Sequence, residues 1–405
     1  LSTAPAEPAS TTPATADLHA TRRIALRRLA LTSFFAFGAL GIHFPFFTPA
    51  LLAVGMSSTA VGLMWSARSA THMFSPSLFG VLADLHGKSR LLSAFALVSL
   101  AVLSTSLAFV DDEAIATLLF ALTGLLGGAS SSLLDGLVLT ALGEEKRRFG
   151  SVRVFGSIGF GVTALTFSIV DDAVALPRAT PFVVAAALSL TASGLVLSVP
   201  VAAHVRLAGL GRAVRLVLRR DLLVVGAVTL FLWASHGAYS AFLAPLAAAH
   251  AVTGSSVGVA LAVAIVCEVI AMRASVVLLE RFGAKTVMLI ATGTAVFRWA
   301  FLASTTAPLA FVAAQGLHGV TFGLFYPAVV TLVGALVPDE ARQTAQGSLV
   351  AGFFGLGGTV GTAIAGHTFG LSATTTWWSM CALASVAFLI ALSARRAPVR
   401  IVATT

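Results

Sequence analysis

Residues 115–172 read IATLLFALTGLLGGASSSLLDGLVLTALGEEKRRFGSVRVFGSIGFGVTALTFSIVDD. Two apolar runs, 115–141 and 152–172, flank a connection that carries Lys146, Arg147 and Arg148. Each run is long enough to cross a ~30 Å hydrocarbon core as a helix. Each also holds a charge, Asp135 in the first and Arg153 in the second. A charge at bilayer depth costs roughly 2.5–3.5 kcal/mol, so it persists where it faces a protein interior or a water-filled path. The stretch therefore reads as a membrane hairpin whose acid and base face a polar interior.

The rest of the chain repeats that pattern. It has 405 residues, 58% hydrophobic and 10% charged, with a mean hydropathy of +0.96; a soluble domain carries about 25% charge. Twelve runs can span: 29–53, 60–83, 91–110, 115–141, 152–172, 181–200, 222–249, 256–279, 286–304, 308–336, 344–369 and 373–394. Glu268 and Arg298 are two more charges inside such runs. The expectation is an all-α membrane protein of twelve transmembrane helices in two pseudo-symmetric six-helix bundles.

A net charge of +9 would suggest nucleic acid in a soluble protein. Its distribution argues for a membrane instead. Of 25 lysines and arginines, 20 fall in alternate connections and in the two tails, from Arg22 to Arg28, at Lys88 and Arg90, and on to Arg395, Arg396 and Arg400. The intervening connections hold only Arg178, and carry Asp111, Asp112, Glu113, Asp171 and Asp172. This is the positive-inside asymmetry, and it places both termini in the cytoplasm. The expected localisation is the plasma (inner) membrane. Expected partners are a small-molecule solute, protons and the lipid bilayer, with no nucleic acid, for a monomer. No cofactor is expected beyond the proton gradient as energy source. Cys267 and Cys381 lie inside spans and point to neither a disulfide nor a metal site.

The longest basic connection divides six spans from six. The expected parts are a disordered tail 1–20, an N-terminal bundle 21–201, a cytoplasmic linker 202–221, a C-terminal bundle 222–394 and a tail 395–405. The halves look like a repeat: at an offset of 196, Pro49 meets Pro245, Val61 meets Val257, Gly62 meets Gly258, Asp84 meets Glu280 and Gly87 meets Gly283. Parallel repeats of this kind place a site at their interface. Spans 5 and 11 are rich in glycine, which lets helices approach closely, as static packing or as a sliding surface.

The connection after span 2 reads Gly80-Val-Leu-Ala-Asp84-Leu-His-Gly87-Lys88-Ser-Arg90. It resembles the signature loop of the major facilitator superfamily, with Leu85 where the family usually has arginine. The resemblance implies that Asp84, with Gly87, Lys88 and Arg90, latches the cytoplasmic side of the N-terminal half in one conformation. Leu134-Asp135-Gly-Leu, Phe149-Gly-Ser-Val-Arg153-Val-Phe-Gly-Ser-Ile-Gly, His236-Gly-Ala-Tyr239, Glu268-Val, Phe297-Arg298-Trp299 and Gln315-Gly-Leu-His318-Gly-Val-Thr-Phe-Gly extend the likeness over about residues 30 to 395. They resemble the phenylpropionate-permease-like branch, which is similar to lactose permease. That resemblance implies that Asp135 and Arg153 grip the solute. It also implies that Arg298 and His318 belong to proton coupling, with Thr321 where an acid usually stands and Glu268 about one turn from the usual helix 8 acid.

The residues support related readings without the family. Asp135 and Arg153 lie on consecutive helices and can face each other; the arginine fork suits a carboxylate or paired hydroxyls, and a structural ion pair is the alternative. Glu268 follows Val263, Ala264, Ile265 and Val266, a setting for an acid that exchanges protons or pairs with an arginine. His318 can titrate or donate. Gln315 precedes it by one turn on the same face, and with His236 and Tyr239 it is a candidate solute ligand. Arg68 shares a face with His72, and His236 with Tyr239 and Ser240. Arg273 is placed to snorkel toward the cytoplasmic interface. Trp65, Trp233, Phe325 and Tyr326 are candidates to stack on an aromatic solute.

These readings lead to a secondary active transporter, importing a small organic solute with protons, an aromatic or other small carboxylate for choice. A sugar or nucleoside symporter is the alternative, and an efflux antiporter a second one. The superfamily's exporters usually carry a Gly-Pro motif on helix 5, and span 5 has no proline before Pro177. No catalytic constellation is visible, so an enzyme is not expected.

Overall fold

The computed structural model describes residues 13–143, 145, 148–200, 219–337 and 350–396, except the side chains of 13–19, 84, 350–351 and 394–396. The linker expected over 202–221 thus falls almost wholly outside the described residues, as does the tail beyond 396.

The N-terminal half is six helices: α1 (Pro13–Leu52), α2 (Ser58–His86), α3 (Ser89–Leu107), α4 (Glu113–Leu142), α5 (Phe149–Val174) and α6 (Thr180–Leu197). The C-terminal half holds α7 (Arg220–Ala234), α8 (Gly237–Ala248), α9 (Ser255–Phe282), α10 (Ala284–Ser304), α11 (Pro308–Gly316), α12 (Phe325–Leu336), α13 (Gly355–Phe369) and α14 (Ala373–Arg396). Ten segments are long and apolar enough to cross a membrane, with α7–α8 and α11–α12 each counted as one. The other two expected spans are α2, which carries Arg68 and His72, and the span ending in α13, whose first residues lie outside the described ones. No strand occurs among the described residues.

Helix ends follow local chemistry. Asp112 caps α4 by accepting from Ile115 N at 2.8 Å, and Ser57 caps α2 through Ala60 N. At the other end of α2, Gly87 takes φ +63° and donates its N–H to Ala83 O; Gly283 takes φ +77° after α9 and donates to Leu279 O. A side chain rarely tolerates such φ, so glycine is needed at both ends of the repeat. The first helix begins at Pro13, inside the stretch expected to be a tail, because the alanine-rich 14–20 favours helix and proline suits a first turn.

Two expected spans are not single α-helices. Span 7 breaks between α7 and α8, where Ser235 Oγ and His236 Nδ1 both bond to Leu232 O, at 2.6 and 2.8 Å. Such side-chain bonds compete with the helical ladder. Span 10 passes through a π-helical turn, Gly319–Leu324, directly after His318. A second π turn, Val350–Phe354, leads into α13.

The halves meet where α2 packs on α13, α5 on α9 and α1 on α8. Four inter-bundle hydrogen bonds lie toward the acidic connections. Ser66 Oγ donates to Thr359 O at 2.8 Å, Thr48 Oγ1 to Ala241 O at 2.5 Å, and Ser168 Oγ to Gly254 O at 2.5 Å; Ser255 Oγ reaches Asp172 Oδ2 at 2.9 Å. That face is closed. On the basic face, Arg22 ties α1 to the end of α4 through Glu145 Oε1 at 2.9 Å and the carbonyls of Ala141 and Leu142. Arg148 donates to Glu145 Oε2 at 2.7 Å. The Arg148 hydrogen bond and then the Arg22 charge hold the Glu145 carboxyl below its usual range.

Candidate functional site

Between the bundles lies a cavity of about 410 Å³. Its aromatic wall is Phe37, Phe44 and Trp65 from the first half and Trp233, Phe322 and Phe354 from the second. Gly127, Gly237, Gly355 and Gly358 leave the room between these rings, and Arg68 and His72 bring polarity from α2. A smaller cavity of about 170 Å³ adjoins it, lined by His236, Tyr239, Ser240 and His318 as well as Phe44, Trp233 and Phe322.

The C-terminal half builds a buried polar network beside the smaller cavity. Arg298 is fully buried. It donates from one terminal nitrogen to Gln315 Oε1 at 2.8 Å and from the other toward His318 Nδ1 and Thr321 Oγ1, both at 3.4 Å. Its guanidinium also stands over the rings of Trp299 and Tyr239, at 4.4 and 4.9 Å. Glu268 Oε2 lies 3.5 Å from His318 Nε2. Because Arg298 can only donate, His318 Nδ1 must offer a lone pair, and the ring proton stays on Nε2, facing Glu268. The same logic sets His236: Leu232 O takes the Nδ1 proton, leaving Nε2 to accept from Thr321 Oγ1 at 3.2 Å. The chain thus runs Glu268, His318, Arg298, Thr321, His236. Tyr239 stacks on His318 at 4.8 Å and closes the group.

Asp135 and Arg153 do come together, with Arg153 Nε 3.4 Å from Asp135 Oδ1 and side-chain exposures of 37% and 31%. They stand nearer the basic face than the cavity centre, since Arg153 is one turn into α5 and Asp135 two turns from the end of α4. Arg153 also covers the Phe37 ring at 3.8 Å, and Phe37 lines the main cavity. The pair therefore adjoins the cavity wall through Phe37 rather than lining the cavity itself.

Gln315 is 1% exposed and outside both cavities. Its amide donates to Phe311 O at 3.0 Å while its oxygen receives Arg298, so it orients the arginine. In the signature loop, Arg90 donates to Val199 O at 2.6 Å, within its own half, and Lys88 is exposed. The Asp84 side chain lies outside the described ones. Arg273 is exposed, as snorkelling requires.

A family model described as "MFS_1 like family" matches residues 26–380. The chain belongs to that family. It is a multi-pass membrane transporter of the major facilitator superfamily, not an enzyme. The protein named "Probable 3-phenylpropionic acid transporter" of Escherichia coli (strain K12) is 27% identical over 90% of this chain and 96% of its own length. "Maltose permease" of Geobacillus stearothermophilus is also 27% identical, over 89% of this chain and 92% of its own. The crystal structure of nucleoside transporter NupG superposes with a TM-score of 0.79 over 92% of this chain and 98% of that one, at 17% identity, which speaks to fold alone.

For this MFS-type transporter, the aromatic wall departs from the sequence reading. Trp65 and Trp233 line the cavity, whereas Phe325 is buried in the core and Tyr326 contacts the rings of Phe322 and Phe354 without lining the cavity itself. Phe37, Phe44, Phe322 and Phe354 went unread. A signal existed for Phe322: it follows His318 at helical i+4 spacing, and the two rings stack at 5.7 Å. Nothing local distinguishes Phe44 or Phe354 from packing aromatics.

Proposed function

We propose that this transporter imports a small organic carboxylate together with protons by alternating access, in the plasma membrane with both termini cytoplasmic. The observation that carries the coupling is the contact of Glu268 with His318 beside a solute-sized cavity. Glu268 is the proton carrier in this reading; His318 donates its Nε2–H toward the ionised carboxylate and steadies it, and Arg298, by occupying Nδ1, holds the ring in the tautomer that keeps that donor facing Glu268. His236 and Tyr239 face the smaller cavity and contact solute, and Gln315 acts through Arg298. Asp135 and Arg153 receive or release the solute at the cytoplasmic mouth. Asp84, Gly87, Lys88 and Arg90 latch that side when it closes.

The closed acidic-connection face supports the direction of opening, and the basic asymmetry supports calling the open side cytoplasmic. The six aromatic rings around the main cavity favour a flat solute over a polyol. Competition tests the solute class: uptake into right-side-out vesicles under an inward proton gradient should be blocked by phenylpropionate-like acids. If only neutral sugars or nucleosides compete, the carboxylate reading is wrong.

A further inference from the structure

We propose that Arg68 is the carboxylate-binding residue of the main cavity. The assignment rests on the carboxylate reading above and names the group that recognises the anion. Arg68 sits on α2, 7% exposed, and lines the cavity between the bundles. Its guanidinium is held against two aromatic rings, 5.0 Å from the centre of Phe44 and 5.5 Å from that of Trp65.

What marks Arg68 is a missing counter-charge on a side chain that lines the main cavity, which Arg298 does not. Among the described residues no carboxylate lies within ion-pair distance of it, and its Nε finds no acceptor. Arg153 is answered by Asp135; Arg298, whose Nε also lacks an acceptor, still places its terminal nitrogens on Gln315, His318 and Thr321. Burying a cation without a partner is unfavourable, and evolution has placed apolar rings rather than an acid beside this one. A solute that brings its own negative charge removes the imbalance each time it binds.

The surroundings select the kind of anion. Arg68 is the cavity's one cationic side chain that is charged irrespective of pH among the described lining residues, which suits a single negative charge better than a doubly charged phosphate. A planar fork takes both oxygens of a carboxylate. Trp233, Phe322 and Phe354 lie on the facing wall, so an aromatic acid can set its carboxylate on the first half and its ring on the second. A volume of about 410 Å³ holds such a molecule. One solute then touches both bundles, which is what alternating access requires of it.

Calorimetry on purified protein tests this with two probes of the same shape, 3-phenylpropionate and neutral 3-phenylpropionamide. The wild type should prefer the acid at least about tenfold. Arg68→Gln should bring the preference to near one while amide binding persists, and Arg68→Lys should fall between. A wild type that binds neither probe, or both equally, overturns the carboxylate reading and this assignment with it. A wild type that prefers the acid while Arg68→Gln keeps that preference overturns the Arg68 assignment alone. Should Arg68→Gln bind neither probe, Arg68→Lys decides, and an undiminished preference there overturns the assignment.

Discussion

Gly62→Ala should open the outer face of this transporter. A Cβ on Gly62 would stand 2.6 Å from Gly366 Cα and 2.8 Å from Thr362 O, across the crossing of α2 and α13. Carbon atoms rest at about 3.5–4.0 Å, so the two helices must part by roughly 1 Å. The repeat partner Gly258 sits at the mirror crossing of α9 and α5, where its Cβ would come within 2.9 Å of Leu165 Cα and Ser168 Cβ. Overpacking of this kind costs about 1–3 kcal/mol. The clash exists only while the outer face is closed, so that cost biases the conformational equilibrium roughly 5- to 150-fold toward the outward-open state. Helix propensity works the other way, since alanine favours helix over glycine by about 1 kcal/mol, so weakening of α2 cannot explain the result. The assay is labelling of a single cysteine at Ser69→Cys, on the cavity wall, in a background lacking Cys267 and Cys381. An impermeant reagent applied from outside should react at least about fivefold faster in Gly62→Ala, and faster still with Gly258→Ala added. Unchanged outside labelling in folded protein would refute the closed-gate reasoning.

Single cysteines at Lys88→Cys and Asp112→Cys should label from opposite sides of the membrane, and same-side labelling would sink the topology drawn from the basic asymmetry. Arg153→Lys should lower transport at least about tenfold, because a point charge cannot serve both Asp135 and the Phe37 ring as a planar fork does; full activity would reduce the pair to an electrostatic scaffold. Glu145 contributes stability that is present above its unfolded pKa and lost as pH falls through its lower folded pKa. Acid should therefore lower the melting temperature of the wild type more than that of Glu145→Gln, and parallel pH profiles would count against the Arg22–Glu145–Arg148 clasp.

The fold was legible because hydropathy and charge asymmetry act on whole segments. Even the repeat survived translation into structure: Gly62 and Gly258 landed on equivalent inter-bundle crossings, and Gly87 and Gly283 on equivalent positive-φ caps. The candidate site was legible where a residue was costly enough to stand out, as Glu268, Arg298 and Asp135 do in apolar runs. Depth was not legible. Asp135 and Arg153 pair as expected but stand near the basic-connection ends of their helices, because where a helix begins sets depth and α5 begins only at Phe149. Aromatic function was hidden for a different reason: Phe44 and Phe325 have the same chemistry, and only the packing of other helices exposes one to the cavity and buries the other. Gln315 reads like a solute ligand until Arg298, on another helix, is seen to occupy its oxygen.

Proton movement tests the central claim most directly. In vesicles without an imposed gradient, adding 3-phenylpropionate outside should make the medium more alkaline than it does with protein-free vesicles, as each solute carries protons inward. In Glu268→Gln that signal should vanish while exchange of labelled solute at equal pH continues, because the cavity is intact and only the proton carrier is gone. Wild-type alkalinisation that persists undiminished in Glu268→Gln would contradict the account and move the proton to another residue; solute entry with no proton signal in the wild type would end the symport reading altogether.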